Sequence, residues 1–257
     1  MPGAEPDLES DLRLAVEVAR EAGALSLDWL KKGAKTWDKS PGNPVTEADI
    51  AVNNLIAERL RRARPEYGWL SEETKDNPSD RAQGRVWVVD PIDGTRAFIR
   101  GEPYFCISIA RLEGHQPAVA ALYNPMTNEM LEAMRGGGAI LNDEPIRAMP
   151  TCALEGCGLI VRPEIHDRLK QNPRWPVTRI LSPMPNSIAY RLALVAAGRW
   201  DAAIGLQATN DWDIAAAALI VEEAGGVVAN GEGAPFVFNQ AVTRHPGVVA
   251  AGAGLHP

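Results

Sequence analysis

The sequence contains few cysteines and no long apolar run. Its three cysteines, Cys106, Cys152 and Cys157, are odd in number and lack the paired spacing of a zinc site. This usage favours a reducing compartment without a disulfide framework. No run approaches the roughly 20 apolar residues that span a bilayer, and the first residues carry neither the basic nor the apolar region of a signal peptide. We therefore expect a cytoplasmic protein that does not enter a membrane.

Basic residues are in the minority. The 257-residue chain carries 26 Lys and Arg against 33 Asp and Glu, for a net charge of −7. This balance argues against binding to a nucleic acid polymer or to a membrane surface. It is compatible with a small anionic substrate, because bound cations can reverse the local charge. The length is sufficient for one large domain or two small ones.

The most informative stretch is residues 86–98. It begins with an apolar run, residues 86–89, whose β-branched side chains predict a buried strand. We expect this strand to end at Asp90, because Pro91 has no N–H group for the hydrogen bonds of a central strand. An acidic side chain is thus predicted at the end of a buried strand.

A second acid follows three residues later, where Asp93, Gly94 and Thr95 predict a tight turn that opens a helix. Two carboxylates this close repel each other unless a cation lies between them, and hard cations such as Mg²⁺ prefer oxygen ligands. The free N–H groups of a helix start accept phosphate. The pattern indicates a metal and phosphate site, and the alternative for a lone Asp-Gly-Thr is an ordinary helix cap.

The surrounding sequence predicts an α/β arrangement. Apolar residues at a helical period predict a first helix over residues 8–31 and a second from Thr46, separated by a polar loop at 34–45. The short apolar runs that follow the central stretch predict an antiparallel meander, and strands and helices alternate in the second half. We expect two subdomains, residues 1–145 and 146–257, with the functional site between them.

Two further acidic positions have open interpretations. Asp49 lies three residues after Thr46, which is the spacing of a capping box. It either caps the helix or points into the site and orients a hydroxyl group. Glu72 and Glu73 follow a short apolar run, residues 68–71, and form either a surface pair or a strand end that delivers a carboxylate.

Four pieces of the sequence resemble signatures of the inositol monophosphatase family of metal-dependent phosphatases. They follow the family's order, and the resemblance covers roughly residues 8–253. The pieces are residues 87–95 for W-x-x-D-P-[IL]-D-G-T, residues 212–216 and 223–226 for W-D-x-A-A and E-A-G-G, residues 71–74 for G-E-E-[ST] with Ser in place of Gly, and residues 45–49 for V-T-x-x-D. Haloacid-dehalogenase-type phosphatases are a poorer match, because their Asp-x-Asp motif is one residue shorter than the spacing of Asp90 and Asp93.

The resemblance implies an α/β layered sandwich, with helix and sheet layers in the order αβαβα, and two to three Mg²⁺ ions. One ion would be held by Glu72, Asp90 and the carbonyl of Ile92, and a second by Asp90, Asp93 and Asp213. A third, weaker ion would use Glu72 and water.

The resemblance also implies roles around the substrate. The N–H groups of Gly94 and Thr95 would hold phosphate oxygens, and Asp93 and Asp213 would lie beside the bound phosphate ester. The Thr95 hydroxyl, oriented by Asp49, would act with Glu72 on the attacking water, and Lys39 would approach the metal and phosphate region. Inhibition by Li⁺ and a homodimer are further expectations of this kind.

The substrate remains open between several phosphate monoesters. An inositol 1-phosphate-type substrate is the first expectation. The alternatives are a 3′(2′),5′-bisphosphate nucleotidase, favoured by Asp211 and Arg96 and by the absence of an acid near Gln207, and a histidinol-phosphatase, also compatible with Arg96. A catalytically silent metal- or phosphate-binding regulator is the alternative of another class.

Overall fold

The computed structural model describes residues 7–151 and 153–255. Cys152 and the amino-terminal stretch discussed above lie outside these residues. Within them, none of the helices combines the length and the apolar character needed to cross a membrane. The α-helices are α1 (Leu8–Lys32), α2 (Glu47–Ala63), α3 (Thr95–Ile99), α4 (Pro163–Lys170), α5 (Ile188–Ala196) and α6 (Asp211–Glu223).

The strands of the first half form a hairpin and one large sheet. They are β1 (Thr36–Ser40), β2 (Asn43–Thr46), β3 (Gly68–Ser71), β4 (Arg85–Asp93), β5 (Cys106–Glu113), β6 (Gln116–Asn124), β7 (Glu129–Met134), β8 (Gly138–Leu141) and β9 (Glu144–Ile146). The strands of the second half are β10 (Gly158–Ile160), β11 (Arg179–Ile180), β12 (Ala202–Gly205), β13 (Thr209–Asn210), β14 (Gly226–Asn230), β15 (Arg244–His245) and β16 (Val248–Gly252).

The larger sheet has seven strands in the order β3-β4-β5-β6-β7-β8-β9. Strands β3 and β4 are parallel, and every later pair is antiparallel, as expected for a meander. Both faces of β4 are buried, because Val86 and Val88 belong to one apolar core while Trp87 and Val89 belong to another. A strand buried on both faces explains the unbroken apolar run in the sequence.

The layers alternate between helices and sheets. Helices α1 and α2 cover one face of the seven-stranded sheet, and α5 and α6 fill the space between its other face and a five-stranded sheet of order β11-β10-β12-β16-β14. Ile165 of α4 packs on the outer face of the smaller sheet. The expected αβαβα sandwich is confirmed. From Ile214 to Val221, helix α6 is apolar on every side, because it is buried between the two sheets.

The prediction that β4 ends at Asp90 is wrong, because the strand continues through Pro91 to Asp93. Its pairing with β5 is irregular between Asp90 and Asp93. A proline is tolerated at such an irregularity, since no regular ladder hydrogen bond is required there. The irregularity turns the two acids to positions that a regular strand would not give them.

The predicted loop at 34–45 is also wrong, because this segment forms the hairpin of β1 and β2. All five residues of β1 are exposed, so neither face of the strand has to be apolar. The sequence therefore does not show the alternation of apolar and polar residues that predicts a half-buried strand. The division into subdomains 1–145 and 146–257 stays a prediction.

Candidate active site

Three carboxylates from three different elements meet at the end of β3 and β4. Glu72 directly follows β3, Asp90 lies in β4, and Asp213 lies in the first turn of α6. One oxygen of each lies within 4.8 Å of the others. Because β3 and β4 are parallel neighbours, their carboxyl ends reach the same edge of the sheet, and the amide of Glu72 extends the ladder by donating to the carbonyl of Val89 at 3.2 Å.

Asp213 and Asp93 are each held through one oxygen. Asp213 Oδ2 accepts a hydrogen bond from the backbone N–H of Asn210 at 2.6 Å, in a capping box that begins α6. Asp93 Oδ2 accepts from the Ser187 hydroxyl at 2.6 Å and from the amide of Ala189 at 2.7 Å, at the start of α5. The second oxygen of each carboxylate is left for another partner.

The three aspartates Asp90, Asp93 and Asp213 have raised pKa values, with burial as the first cause. Burial and the charge of Asp93 raise the pKa of Asp213 to about 8, and burial raises the pKa of Asp93 to about 6. Burial and then Glu72 raise the pKa of Asp90 well above its ordinary value. Like charges that are buried together disfavour ionisation unless a cation compensates them. The oxygen-only donor set fits a hard divalent cation such as Mg²⁺.

Lys39 lies at the edge of this cluster. Its Nζ is 3.0 Å from Glu72 Oε1 and also forms an ion pair with Glu73. The Glu73 side chain is 5% exposed, and burial raises its pKa to about 7 in spite of the lysine. The β1–β2 hairpin therefore brings a positive charge to the acids, and Glu73 is not the surface residue that the sequence allowed.

Asp49 makes both of the contacts between which the sequence left a choice. Its Oδ2 accepts from the backbone N–H and the hydroxyl of Thr46 at 2.7 and 2.6 Å, which completes the capping box of α2. Its Oδ1 lies 3.2 Å from the hydroxyl of Thr95, which is also 3.3 Å from the carbonyl of Ile92. One carboxylate thus links the start of α2 to the start of α3.

Gly94 has no room for a side chain. Its φ of +99° lies in the left-handed region, and a Cβ atom there would approach the carbonyl oxygen of Tyr104 to 2.8 Å. Gly94 caps α3 and Thr95 is its first residue, so no helical carbonyl can accept from their N–H groups. Both residues, with Ile92, line a small cavity of about 160 Å³ beside the acids.

A larger cavity of about 340 Å³ adjoins the acids and contains residues that the sequence reasoning missed. Asn186, Arg162 and Arg191 line it, together with Arg96. The serine that starts α5, Ser187, could have been found from its helix-capping character. The arginines carry no comparable local signal, because they come from separate loops and helices.

Asp211 does not face the cavity. It is fully buried, and its two oxygens accept from the His245 ring at 2.6 Å and from the amide of Asn239 at 2.7 Å. The acid that the sequence offered in favour of a nucleotidase therefore holds the start of α6 in place.

Comparisons with known proteins point to one family. A model of the inositol monophosphatase family matches residues 7–255. An inositol-1-monophosphatase of Mesorhizobium japonicum is 36% identical over 235 residues, 86% of each chain. A histidinol-phosphatase of Chlorobaculum parvum is 36% identical over 222 residues, 84% of each chain. The crystal structure of the extragenic suppressor protein SuhB of Bartonella henselae matches with a TM-score of 0.83 at 29% identity, over 95% of each chain.

The raised pKa values predict how stability depends on pH when no metal is bound. At about pH 5 the folded chain holds protons on Asp93, Glu73 and Asp213 that the unfolded chain has largely released, and the folded chain loses them in turn near pH 6, 7 and 8. Stability in a chelator should therefore fall as the pH rises, and Mg²⁺ should restore more of it at about pH 8 than at pH 5. Melting temperatures measured with EDTA and with Mg²⁺ test this, at roughly 2–4 °C per kcal/mol for a chain of this size.

The control for this experiment is Asp213→Asn, which removes the acid with the highest of these pKa values. The variant should show a weaker fall with pH in EDTA and a smaller gain from Mg²⁺. A melting temperature in EDTA that stays level from about pH 5 to 8 would contradict the electrostatic description of the cluster.

Proposed function

The chain belongs to the inositol monophosphatase family of phosphoric monoester hydrolases, and we propose that it is a Mg²⁺-dependent phosphatase of a small metabolite, with inositol 1-phosphate-type esters first. The observation that carries this proposal is the meeting of Glu72, Asp90 and Asp213 beside the helix start at Gly94 and Thr95. Acids that can hold a cation and amides that can hold a phosphate oxygen thus line one cavity.

The acids divide among three metal positions in this proposal. Glu72, Asp90 and the carbonyl of Ile92 would hold one ion, Asp90, Asp93 and Asp213 a second, and Glu72 with water a third, weaker one. Bound Mg²⁺ would supply charge neutralisation for the phosphate and lower the pKa of a coordinated water. One oxygen each of Glu72, Asp90 and Asp213 lies within 4.8 Å of the others, which supports metal ions that share a carboxylate ligand.

The chain's own groups position the substrate and the water. The N–H groups of Gly94 and Thr95 would donate to phosphate oxygens at the start of α3, with Asp93 and Asp213 beside the ester. The Thr95 hydroxyl, which donates a hydrogen bond to Asp49, would orient the attacking water together with Glu72. Lys39, already bonded to Glu72 and Glu73, would add positive charge next to the phosphate.

A histidinol-phosphatase is the second candidate, because a relative of that name is 36% identical over most of both chains. The nucleotidase alternative has lost one of its supports, since Asp211 is buried away from the cavity. A silent regulator is the less favoured description, because the chain retains every acid of the set and two of its relatives are named as phosphatases, although another, 35% identical, is named Nus factor SuhB. A homodimer, a cytoplasmic location and inhibition by Li⁺ complete the proposal. The homodimer and the inhibition rest on the family resemblance alone, and the cytoplasmic location rests on the cysteine usage and the apolar pattern of the sequence.

Asp93→Asn tests the proposed chemistry. Release of phosphate from inositol 1-phosphate, histidinol phosphate and 3′-phosphoadenosine 5′-phosphate should require Mg²⁺, and the variant should lose at least roughly 100-fold in kcat, because a ligand carboxylate becomes neutral. Its apparent Mg²⁺ requirement should also rise. The matched control is Asp28→Asn, an exposed acid of α1, which should behave as the unchanged protein. An Asp93→Asn rate equal to that of the parent at saturating Mg²⁺ would refute the assignment.

The Thr95–Asp49 contact makes a second prediction. Thr95→Ala and Asp49→Asn should each lower kcat by about 10²–10⁴-fold with KM little changed, because an orienting contact for the attacking water acts mainly in the transition state. The double variant should be little worse than either single one, since the two groups act as a unit. The Asn side chain in Asp49→Asn has only one acceptor oxygen. It can therefore no longer accept hydrogen bonds from both Thr46 and Thr95.

Thr46→Ala is the matched control for the capping role of Asp49. It removes a capping hydroxyl of α2 without touching Thr95, and should cost about 1 kcal/mol of stability while kcat stays normal. If Asp49→Asn resembles Thr46→Ala, with a lower melting temperature and normal turnover, Asp49 is only a helix cap.

A further inference from the structure

Three arginines line the larger cavity next to the acids. Arg96 lies in α3, Arg162 directly precedes α4, and Arg191 lies in α5. They come from separate parts of the chain and meet only in the folded protein. Arg191 is 8% exposed, and burial lowers its pKa to about 10 in spite of the opposing charge of Asp93, with the charge of Arg162 acting in the same direction as burial.

None of these three guanidinium groups forms an ion pair within residues 7–151 and 153–255. Each is held by neutral acceptors instead. Arg96 donates to the carbonyl of Gly42, Arg162 to the side-chain oxygen of Gln207 at 2.7 Å, and Arg191 to the carbonyls of Pro185 and Asn186 at 2.6 and 2.9 Å. Since a guanidinium has five N–H donors, these contacts orient the groups and leave donors unused.

The acids of the same cavity do not balance this charge once metal is bound. The acidic side chains that line it are Glu72, Asp93 and Asp213, and all three belong to the proposed metal set. Metal ions would compensate these carboxylates, so the arginines would face the cavity as uncompensated cations. Charge of this kind, oriented but unpaired, is suited to an anion that arrives with the substrate.

We propose that Arg96, Arg162 and Arg191 form a second anion subsite, and that the preferred substrates are compact phosphate monoesters carrying a second phosphate group. This inference rests on the proposed function, because the acids and Gly94 would hold the phosphate that is hydrolysed. Arg162 and Arg96 contact the second phosphate, and Arg191 adds charge from its buried position. Phosphate suits this site because a planar guanidinium binds its oxygens in pairs.

The test compares substrates that differ only in the second phosphate. The pairs are inositol 1,4-bisphosphate with inositol 1-phosphate, and 3′-phosphoadenosine 5′-phosphate with 3′-AMP. A third pair, 2-phosphoglycerate with glycerol 2-phosphate, replaces the second phosphate by a carboxylate. For each pair the readout is the ratio of the two kcat/KM values with saturating Mg²⁺.

The parent protein should favour a bisphosphate over its matched monophosphate by at least roughly tenfold in kcat/KM. Arg162→Met should lower this ratio by roughly ten- to a hundredfold, because a charged hydrogen-bond donor is lost. Arg162→Lys should have a ratio between those of Arg162→Met and the parent, since lysine keeps the positive charge but lacks the paired N–H donors of the guanidinium. Arg96→Met gives a second, independent loss if Arg162→Met folds poorly. The matched control is Arg168→Met, an exposed arginine of α4, which should keep the parent ratio.

The outcomes separate this inference from the proposed function. Hydrolysis of the monophosphates with no preference for a bisphosphate, or a ratio that Arg162→Met and Arg96→Met both leave unchanged, overturns the subsite while the phosphatase activity stands. A preference confined to the carboxylate pair overturns the choice of phosphate. An absence of hydrolysis in every pair overturns the proposed function, and the subsite with it.

Discussion

The rest of the site depends on the burial of several like charges at one edge of the large sheet. Asp90 is 2% exposed and lies among Glu72, Asp93 and Asp213, so burial and mutual repulsion both oppose its ionisation. The folded chain has two ways to relieve this repulsion, which are to hold protons or to hold cations. The nearby lysine, Lys39, pairs with the two glutamates. Within residues 7–151 and 153–255, Asp90, Asp93 and Asp213 form no ion pair, although the charge of Arg191 favours ionisation of Asp93.

The aspartates of the site share one feature, a hydrogen bond from a backbone N–H group that orients the carboxylate. Each accepts backbone N–H groups at the start of a helix or turn: Asp49 from Thr46, Asp90 from Ile92, Asp93 from Ala189 and Asp213 from Asn210. These hydrogen bonds fix one oxygen of each side chain. The other oxygen of Asp49 accepts from the Thr95 hydroxyl, whereas the second oxygens of Asp90, Asp93 and Asp213 are left for a cation. Helix capping, which is ordinary local structure, therefore orients the carboxylates before any ligand binds.

The sequence predicts the acids better than their surroundings. A short window shows that Glu72 and Asp90 follow apolar runs, but it leaves Glu72 open between two interpretations and places the end of β4 at the wrong residue. The family resemblance, and not the local spacing, groups Glu72, Asp90 and Asp213 as metal ligands. Ser187 has the local signature of a helix cap, but its contact with Asp93 arises only through tertiary packing. Arg162 and Arg191 have no local signature and also join the site only in the folded chain. The irregularity that lets β4 continue through Pro91 and the exposed hairpin of β1 and β2 also lack a local apolar pattern. The position of an acid in the sequence does not establish that it faces the site. Asp211 lies two residues from Asp213, yet it is buried in the core, where it contacts His245.

Calorimetric titration of the chelator-stripped chain with Mg²⁺, in two buffers of different ionisation enthalpy, tests the central claim most directly. If the buried acids exchange protons for cations, two or more Mg²⁺ ions should bind per chain. The heat should depend on the buffer at about pH 7, because binding releases protons. Absence of Mg²⁺ binding at millimolar concentrations, or binding with no release of protons, would contradict the account.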